Sequence, residues 1–447
     1  MLNPIAEELN KAIGAANPGV LRMFSRIGEA VFFPKGIMHQ SQEAKEMAAP
    51  SLNATIGIAT EGISTMFLPS VMSQLRGLSA DDCLPYASSF GLKALREGWA
   101  ERLREKNPML AEREFSLPIV TCGISHGLSI VSEMFLDSQD ALLLPDKHWG
   151  NVRLIMATRR EASLHCYRLF SDSALDLAAF GKLLSELGEE RKKLVIYFNY
   201  PNNPAGYSPT LDEAKRSAEL LFEQAQRGTE IVAVIDDAYF GLCYGEDACR
   251  ESLFSLLCDL HPGILAVKLD GATKEAFVWG LRVGFLTYAT SFSASGTAAP
   301  GSTEAFYEAM EKKTAAMVRA TVSNVSHLSQ TLLLNALSSP AFDAEQAAKI
   351  SLLEERALLA KEEATSPRYT RAWELYPFNS GYFMCLRLKT VEAEPLRTHL
   401  LKAHQVGVIA TSDFDLRVAF SCVEAADIPA LFEKIYAAVC ELEAAGA

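Results

Sequence analysis

The middle of the chain alternates short apolar runs with amphipathic stretches of helical period, an order that few folds accommodate. Leu117–Cys122, Ala141–Leu144, Ser163–Arg168, Leu194–Phe198, Ile231–Ile235, Ile264–Leu269 and Val283–Tyr288 have strand length. Ile-Val-Ala-Val-Ile at 231–235 is apolar at every position, which fits a strand covered on both faces. Ser125–Leu136, Asn151–Thr158, Leu177–Leu187 and Leu211–Gln226 carry the helical period between them. Strands and helices in this succession build an open, mostly parallel α/β sheet flanked by helices, here over about residues 75–325.

From about Val325 the pattern changes. Phe342–Ala364 is a long helical stretch, Tyr382–Leu388 and Leu416–Phe420 read as short strands, and Ala426–Ala444 as a final helix. This predicts a smaller α+β domain that shares its core with the first 60 or so residues. The expected division is an N-terminal segment (1–65), a large α/β domain (66–325) and a small domain (326–447). A length of 447 residues leaves room for two or three such units.

Charge and cysteine usage narrow the setting. With 55 acidic and 42 basic residues the net charge is −13, which speaks against nucleic acid or an anionic membrane as partner. No run approaches the roughly 18 apolar residues of a membrane helix. The N-terminus, Met1-Leu-Asn-Pro-Ile-Ala-Glu-Glu-Leu, carries acid where a signal peptide carries base. The nine cysteines are scattered without a C-x-x-C. A soluble cytoplasmic protein with reduced thiols and no metal site is expected.

In an open α/β sheet, ligands bind beyond the carboxyl ends of the strands. Polar residues collect there at four of the strand ends. Gly123-Ile-Ser-His-Gly127 opens a helix after the first; Asn199-Tyr-Pro-Asn-Asn-Pro-Ala-Gly206 follows the fourth. Asp236-Asp-Ala-Tyr239 closes Ile231–Ile235, and Asp270-Gly-Ala-Thr-Lys274 follows Ile264–Leu269 with Arg282 eight residues on. Singly, these fit a tight turn, turn chemistry, a helix cap and a surface lysine. Together and in this order they form a specific set.

The set resembles the pyridoxal-5′-phosphate enzymes of the aspartate aminotransferase fold (fold type I), and within them the class I/II aminotransferases, from about Leu52 to Arg417. The resemblance implies that Lys274 holds the cofactor aldehyde as a Schiff base and moves the proton between Cα and C4′. It puts Asp236 at the pyridine nitrogen, where a charge pair near 4 Å, worth about 4 kcal/mol, would keep the ring protonated. It gives Asn203 and Tyr239 the 3′-oxygen, and Ser125, the N–H groups of Ile124 and Ser125, and Arg282 the phosphate. Trp149 stands where relatives stack an aromatic on the ring. Tyr86 resembles a tyrosine that reaches the phosphate from a neighbouring subunit, which implies a homodimer. One departure is Gly271, at a place where relatives usually carry a phosphate-binding serine.

The same resemblance supplies substrate anchors. Arg417, in Asp415-Leu-Arg-Val-Ala-Phe420, matches the arginine that grips the α-carboxylate, and Gly57 the loop that closes over it. Arg319, in Val318-Arg-Ala-Thr-Val-Ser-Asn324, matches an arginine that binds the distal carboxylate of Asp or Glu in the partner's site, although Val-Ser-His follows where those relatives have Pro-Pro. As a solvated helix-end residue it would read equally well. The implied activity is transfer of an amino group between an L-amino acid, dicarboxylic or aromatic, and a 2-oxo acid. A lyase on the same fold, of the cysteine β-lyase or cyclopropane-forming type, remains the alternative. A regulator's aminotransferase-like half would need a basic DNA-binding segment that the acidic N-terminus does not offer.

Overall fold

The computed structural model describes residues 2–32, 36–292 and 302–446. The larger sheet is built from β1 (Ile119–Thr121), β2 (Ala141–Pro145), β3 (Ser163–Tyr167), β4 (Lys193–Asn199), β5 (Glu230–Asp236), β6 (Ile264–Gly271) and β7 (Gly284–Ala289). They lie in the order β1-β7-β6-β5-β4-β2-β3. β7 is antiparallel to both its neighbours, and the remaining pairings are parallel. This is the mostly parallel α/β sheet expected from the sequence.

Two apolar cores explain the unbroken hydrophobicity of the central strands. Ile231, Ala233 and Ile235 of β5 point into one core with Leu194, Ile196 and Phe198 of β4. Val232 and Val234 point into the other, with Val195 and Tyr197. Alternate side chains leave a strand on opposite faces, so both faces must be apolar when both are covered. Helices α1 (Gly123–Phe135), α2 (Leu177–Glu190) and α3 (Leu211–Gln226) connect the strands. A capping box between Thr210 and Glu213 sets the start of α3.

One expected helix takes a different form. Asn151–Thr158 is a π-helix over Arg153–Thr158. Its buried residues, Val152, Ile155 and Met156, have ordinary helical spacing. Over so short a stretch that spacing does not distinguish the wider turn.

A second sheet, β8 (Trp373–Leu375), β9 (Met384–Leu388), β10 (Ile409–Ala410) and β11 (Asp415–Val418), is antiparallel in the order β8-β9-β11-β10. The expected strand at Leu416–Phe420 ends early, because Phe420–Cys422 turns away as a 3-10 segment whose Ser421 hydroxyl donates to the Ile58 carbonyl. Helices α4 (Ser302–Thr321), α5 (Phe342–Ala364) and α6 (Ile428–Gly446) complete the C-terminal part, and Leu353, Phe432 and Ile435 of the last two share a core with Trp373 and Leu386. The N-terminal stretch joins this sheet: Ala54 donates to Gly407 and accepts from Ala419, and the Gln40 amide bonds both ways with Ala410. Among the described residues no helix is long and apolar enough to cross a membrane.

Candidate active site

β1 delivers the first side of the site. Gly123 starts α1 with φ +71°, a left-handed conformation that glycine adopts without strain, and a Cβ there would run into the Arg282 guanidinium. The missing side chain therefore lets Arg282 lie against the first turn of a helix, beside Ile124 and Ser125. Free N–H groups, the positive helix end and a guanidinium meet there, which is anion-binding chemistry. Arg282 itself sits at φ +56°, a conformation costing a non-glycine residue on the order of 1 kcal/mol. Strain of this kind collects at functional positions.

β5 delivers the second side. Asp236 continues the face of Val232 and Val234 and is only 2% exposed. The Tyr197 hydroxyl, from β4 on the same face, donates to Asp236 Oδ2 at 2.7 Å, and the Ala238 N–H donates to Oδ1 at 3.1 Å. Asn199 Nδ2 donates to the Asp236 carbonyl at 2.9 Å while its Oδ1 accepts from the Asn203 N–H at 2.9 Å. Burial pushes the Asp236 carboxyl up to about 6, against the bond from Tyr197 and the nearby Lys274 charge.

β6 delivers Lys274 through the short helix Ala272–Glu275. Its carbonyl accepts from the Tyr382 hydroxyl at 3.2 Å, and its Nζ lies 4.8 Å from the centre of the Tyr239 ring. Burial lowers the ammonium to about 8, with Asp236 opposing the shift. An acid raised and a base lowered toward neutrality in one cleft are what proton transfer near pH 7 requires.

The neighbouring Asp237 belongs to a different network. It faces the other side of β5, pairs with the wholly buried Lys268, and accepts from the Ser252 hydroxyl at 2.5 Å. Lys268 lies 3.7 Å from Asp270, whose Oδ2 accepts from Trp99 Nε1 at 3.2 Å. A second pair joins the half-buried Lys106 to Glu275, the residue after Lys274.

β11 delivers Arg417, 1% exposed, with its guanidinium carbon 4.1 Å from the Phe383 ring centre. Nη1 donates to Asn203 Oδ1 at 3.0 Å and Nη2 to the Thr55 carbonyl at 2.7 Å. Nε is buried without a partner among the described residues. Among the described residues Arg417 forms no ion pair, and burial pulls its guanidinium down to about 10.

These elements enclose a cleft of about 790 Å³, open mouth included. Ten of the twelve residues singled out from the sequence line it: Gly57, Ile124, Ser125, Trp149, Asn203, Asp236, Tyr239, Lys274, Arg282 and Arg417. Two do not. Tyr86 is 91% exposed, and Arg319 lies on the surface with Nη1 bonded to Ser323 Oγ at 2.7 Å. The cleft also contains Ile37, Asn199, Ala238, Thr273 and Phe383, to which the sequence reading gave no role of their own. Asn199 was findable, as a polar residue closing an apolar strand at its carboxyl end. Ile37 and Phe383 carry no local signal, because they reach the cleft from segments distant in sequence.

The family model for aminotransferase class I and II matches residues 55–435. The chain belongs to this family. It is 28% identical over 259 residues to a probable aspartate/prephenate aminotransferase of Aquifex aeolicus, a match covering 57% of this chain and 57% of that relative. Among solved structures it resembles an aminotransferase from Anaerococcus prevotii (TM-score 0.80, 21% identity, 93% of this chain and 98% of that one). It also resembles the kynurenine aminotransferase of Pyrococcus horikoshii (TM-score 0.76, 15% identity, 95% and 98%). At these identities the structural likeness establishes the fold, which is fold type I.

Proposed function

We propose that this chain is an aminotransferase that uses pyridoxal 5′-phosphate to move an amino group between an L-amino acid and a 2-oxo acid. The observation that carries the reading is Arg417. Among the described residues this buried guanidinium has an unpartnered Nε and no carboxylate beside it, which calls for an anion from outside the chain, and it lines the same cleft as Lys274 and Asp236. A substrate carboxylate supplies that anion.

The residues present suit the cofactor. The helix start at Gly123, left open by the absence of a Cβ, together with Ser125 and Arg282, would take its phosphate. Asp236, buried at the end of β5, would face its ring nitrogen; Trp149 would flank the ring; and Asn203 and Tyr239 would bond its ring oxygen. When bound, the cofactor supplies an electron-accepting ring for the pair left at the substrate's Cα.

The chain's own groups do the rest. Arg417 binds and orients the α-carboxylate with Asn203, whose Oδ1 holds the guanidinium in place. Lys274 Nζ, with its affinity for a proton reduced by burial, takes the proton from Cα and later returns one. Tyr197 and the Ala238 N–H keep the Asp236 carboxylate ionised in an apolar setting. Phe383 covers the Arg417 guanidinium and limits water at the reacting atoms.

The reading extends to a cytoplasmic homodimer in which Tyr86 reaches the partner's phosphate site and Arg319 the partner's substrate, and to the three-part division at 65/66 and 325/326. Large apolar side chains exposed on this chain, including Leu84 at 80% and Ile63 at 85%, support burial against a second copy. A donor panel of L-amino acids tested against several 2-oxo acids should give paired products, a new 2-oxo acid and a new amino acid, and Lys274→Ala should abolish both. Release of ammonia and pyruvate without a paired amino acid would make the protein a lyase instead.

A further inference from the structure

Away from the cleft, a second group of chemically active side chains gathers beside the small sheet. The helix Ala393–His399 runs into a π-turn, Leu400–His404, which Gln405 closes in a left-handed conformation at φ +55°. In an α-helix, residues five apart point roughly 140° away from each other. In a π-turn the hydrogen bonds run from i to i+5, and the wider turn brings such residues toward one face. His399 and His404 are five apart, and their ring centres lie 5.7 Å from each other.

A carboxylate from another element completes the group. Glu441 on α6 places Oε2 2.6 Å from His399 Nε2 and 2.9 Å from His404 Nε2. All three ligand atoms lie within 4.8 Å of one another. The histidine side chains are 31% and 17% exposed and the glutamate 49%, so water has access from one side. None of the three lines the cleft.

We propose that His399, His404 and Glu441 form a binding site for a divalent transition-metal ion, zinc above all, that staples the π-turn to the C-terminal helix. Two imidazoles and one carboxylate suit zinc, with water as fourth ligand, and do not suit magnesium or calcium, which take oxygen ligands. A tetrahedral ion with bonds of about 2.0–2.2 Å holds its ligand atoms about 3.4 Å apart. The two histidine–glutamate contacts open to that spacing by less than about 1 Å, and the two histidine nitrogens already lie within 4.8 Å of each other. Because the ligands come from two elements that meet only in the folded chain, the ion binds the folded state and stabilises it by mass action.

The test uses the full chain, freed of metal and dialysed against Zn²⁺, compared with His399→Ala, His404→Ala and Glu441→Gln. The native chain should take up one more zinc per chain than either histidine variant, and zinc should raise its thermal midpoint. The histidine variants should bind at this site more than tenfold more weakly and show no zinc-dependent rise, while Mg²⁺ should leave all four unchanged. The nine cysteines offer competing ligands, so Co²⁺ serves as a second probe. Tetrahedral cobalt bands without thiolate charge transfer support the site. Equal zinc uptake by the native chain and the His404→Ala variant, or no uptake at all, overturns it. Should a variant fold poorly, cobalt bands of the native chain with thiolate character overturn it equally.

Discussion

Gly271 lies directly opposite Gly284 across the antiparallel pair β6–β7, and a Cβ on Gly271 would come within 2.8 Å of the Val283 carbonyl oxygen and 2.9 Å of Gly284 Cα. The serine that relatives usually carry at this place has no room here. The constraint comes from the backbone of the neighbouring strand, which a rotamer change cannot relieve. On the proposed reading, phosphate binding would rest on Ser125, Arg282 and the helix start.

Gly271→Ser accordingly does not restore a lost contact. Overpacking against backbone typically costs about 1–3 kcal/mol, and the variant should show that loss in a denaturation midpoint together with weaker cofactor binding. A variant that binds pyridoxal phosphate more tightly at unchanged stability would refute this account.

Lys274 should titrate near neutrality. With its ammonium lowered to about 8 by burial, most of the amine is protonated at about pH 7 and free at about pH 9. Labelling of Lys274 in the cofactor-free protein, mapped by mass spectrometry across pH, should have its midpoint near 8. Asp236→Asn removes a charge that favours the ammonium, so the midpoint should move down. A midpoint at the ordinary lysine value in the native protein would contradict the burial argument.

Lys268 pairs with Asp237 and lies 3.7 Å from Asp270, all three buried. Removing one member of a buried pair costs about 3–5 kcal/mol. Lys268→Met should lose stability on that scale, and adding Asp237→Asn should recover part of it, since the stranded carboxylate is then gone. Chemical denaturation of the native chain, both single variants and the double variant measures the coupling, and purely additive losses would show that Asp237 and Lys268 do not act as a pair.

Arg319 is exposed on the single chain, where among the described residues only Ser323 holds its guanidinium. If it reaches a second carboxylate across a dimer, Arg319→Ala should lower kcat/KM for Asp or Glu by about 2–5 kcal/mol, roughly thirty- to several-thousand-fold. Alanine and phenylalanine should be nearly unaffected. Mixing Arg319→Ala with Lys274→Ala subunits should restore some dicarboxylate activity, because one site in the heterodimer is then intact. Equal losses on all substrates would mark a structural arginine.

The order of apolar runs and helical stretches determined the α/β sheet, since strands apolar on both faces have few other places to go. Motif spacing likewise determined most of the cleft: Gly123, Asp236 and Lys274 each follow a strand, and parallel strands in one sheet bring their carboxyl ends to one rim. Arg417 is 143 residues beyond Lys274 and was found by its motif, not by proximity.

Other assignments needed three dimensions. Asp236 and Asp237 are chemically identical neighbours; the pleat of β5 sends one to the cleft with Tyr197 and the other to Lys268. Phe383 and Ile37 entered the cleft only when distant segments folded over it. His399 and His404 look like opposite faces of a helix until a π-turn aligns them with Glu441. In each case the sequence carries the chemistry along one dimension, whereas which side of a strand or helix meets which neighbour is settled by packing between elements far apart in the chain.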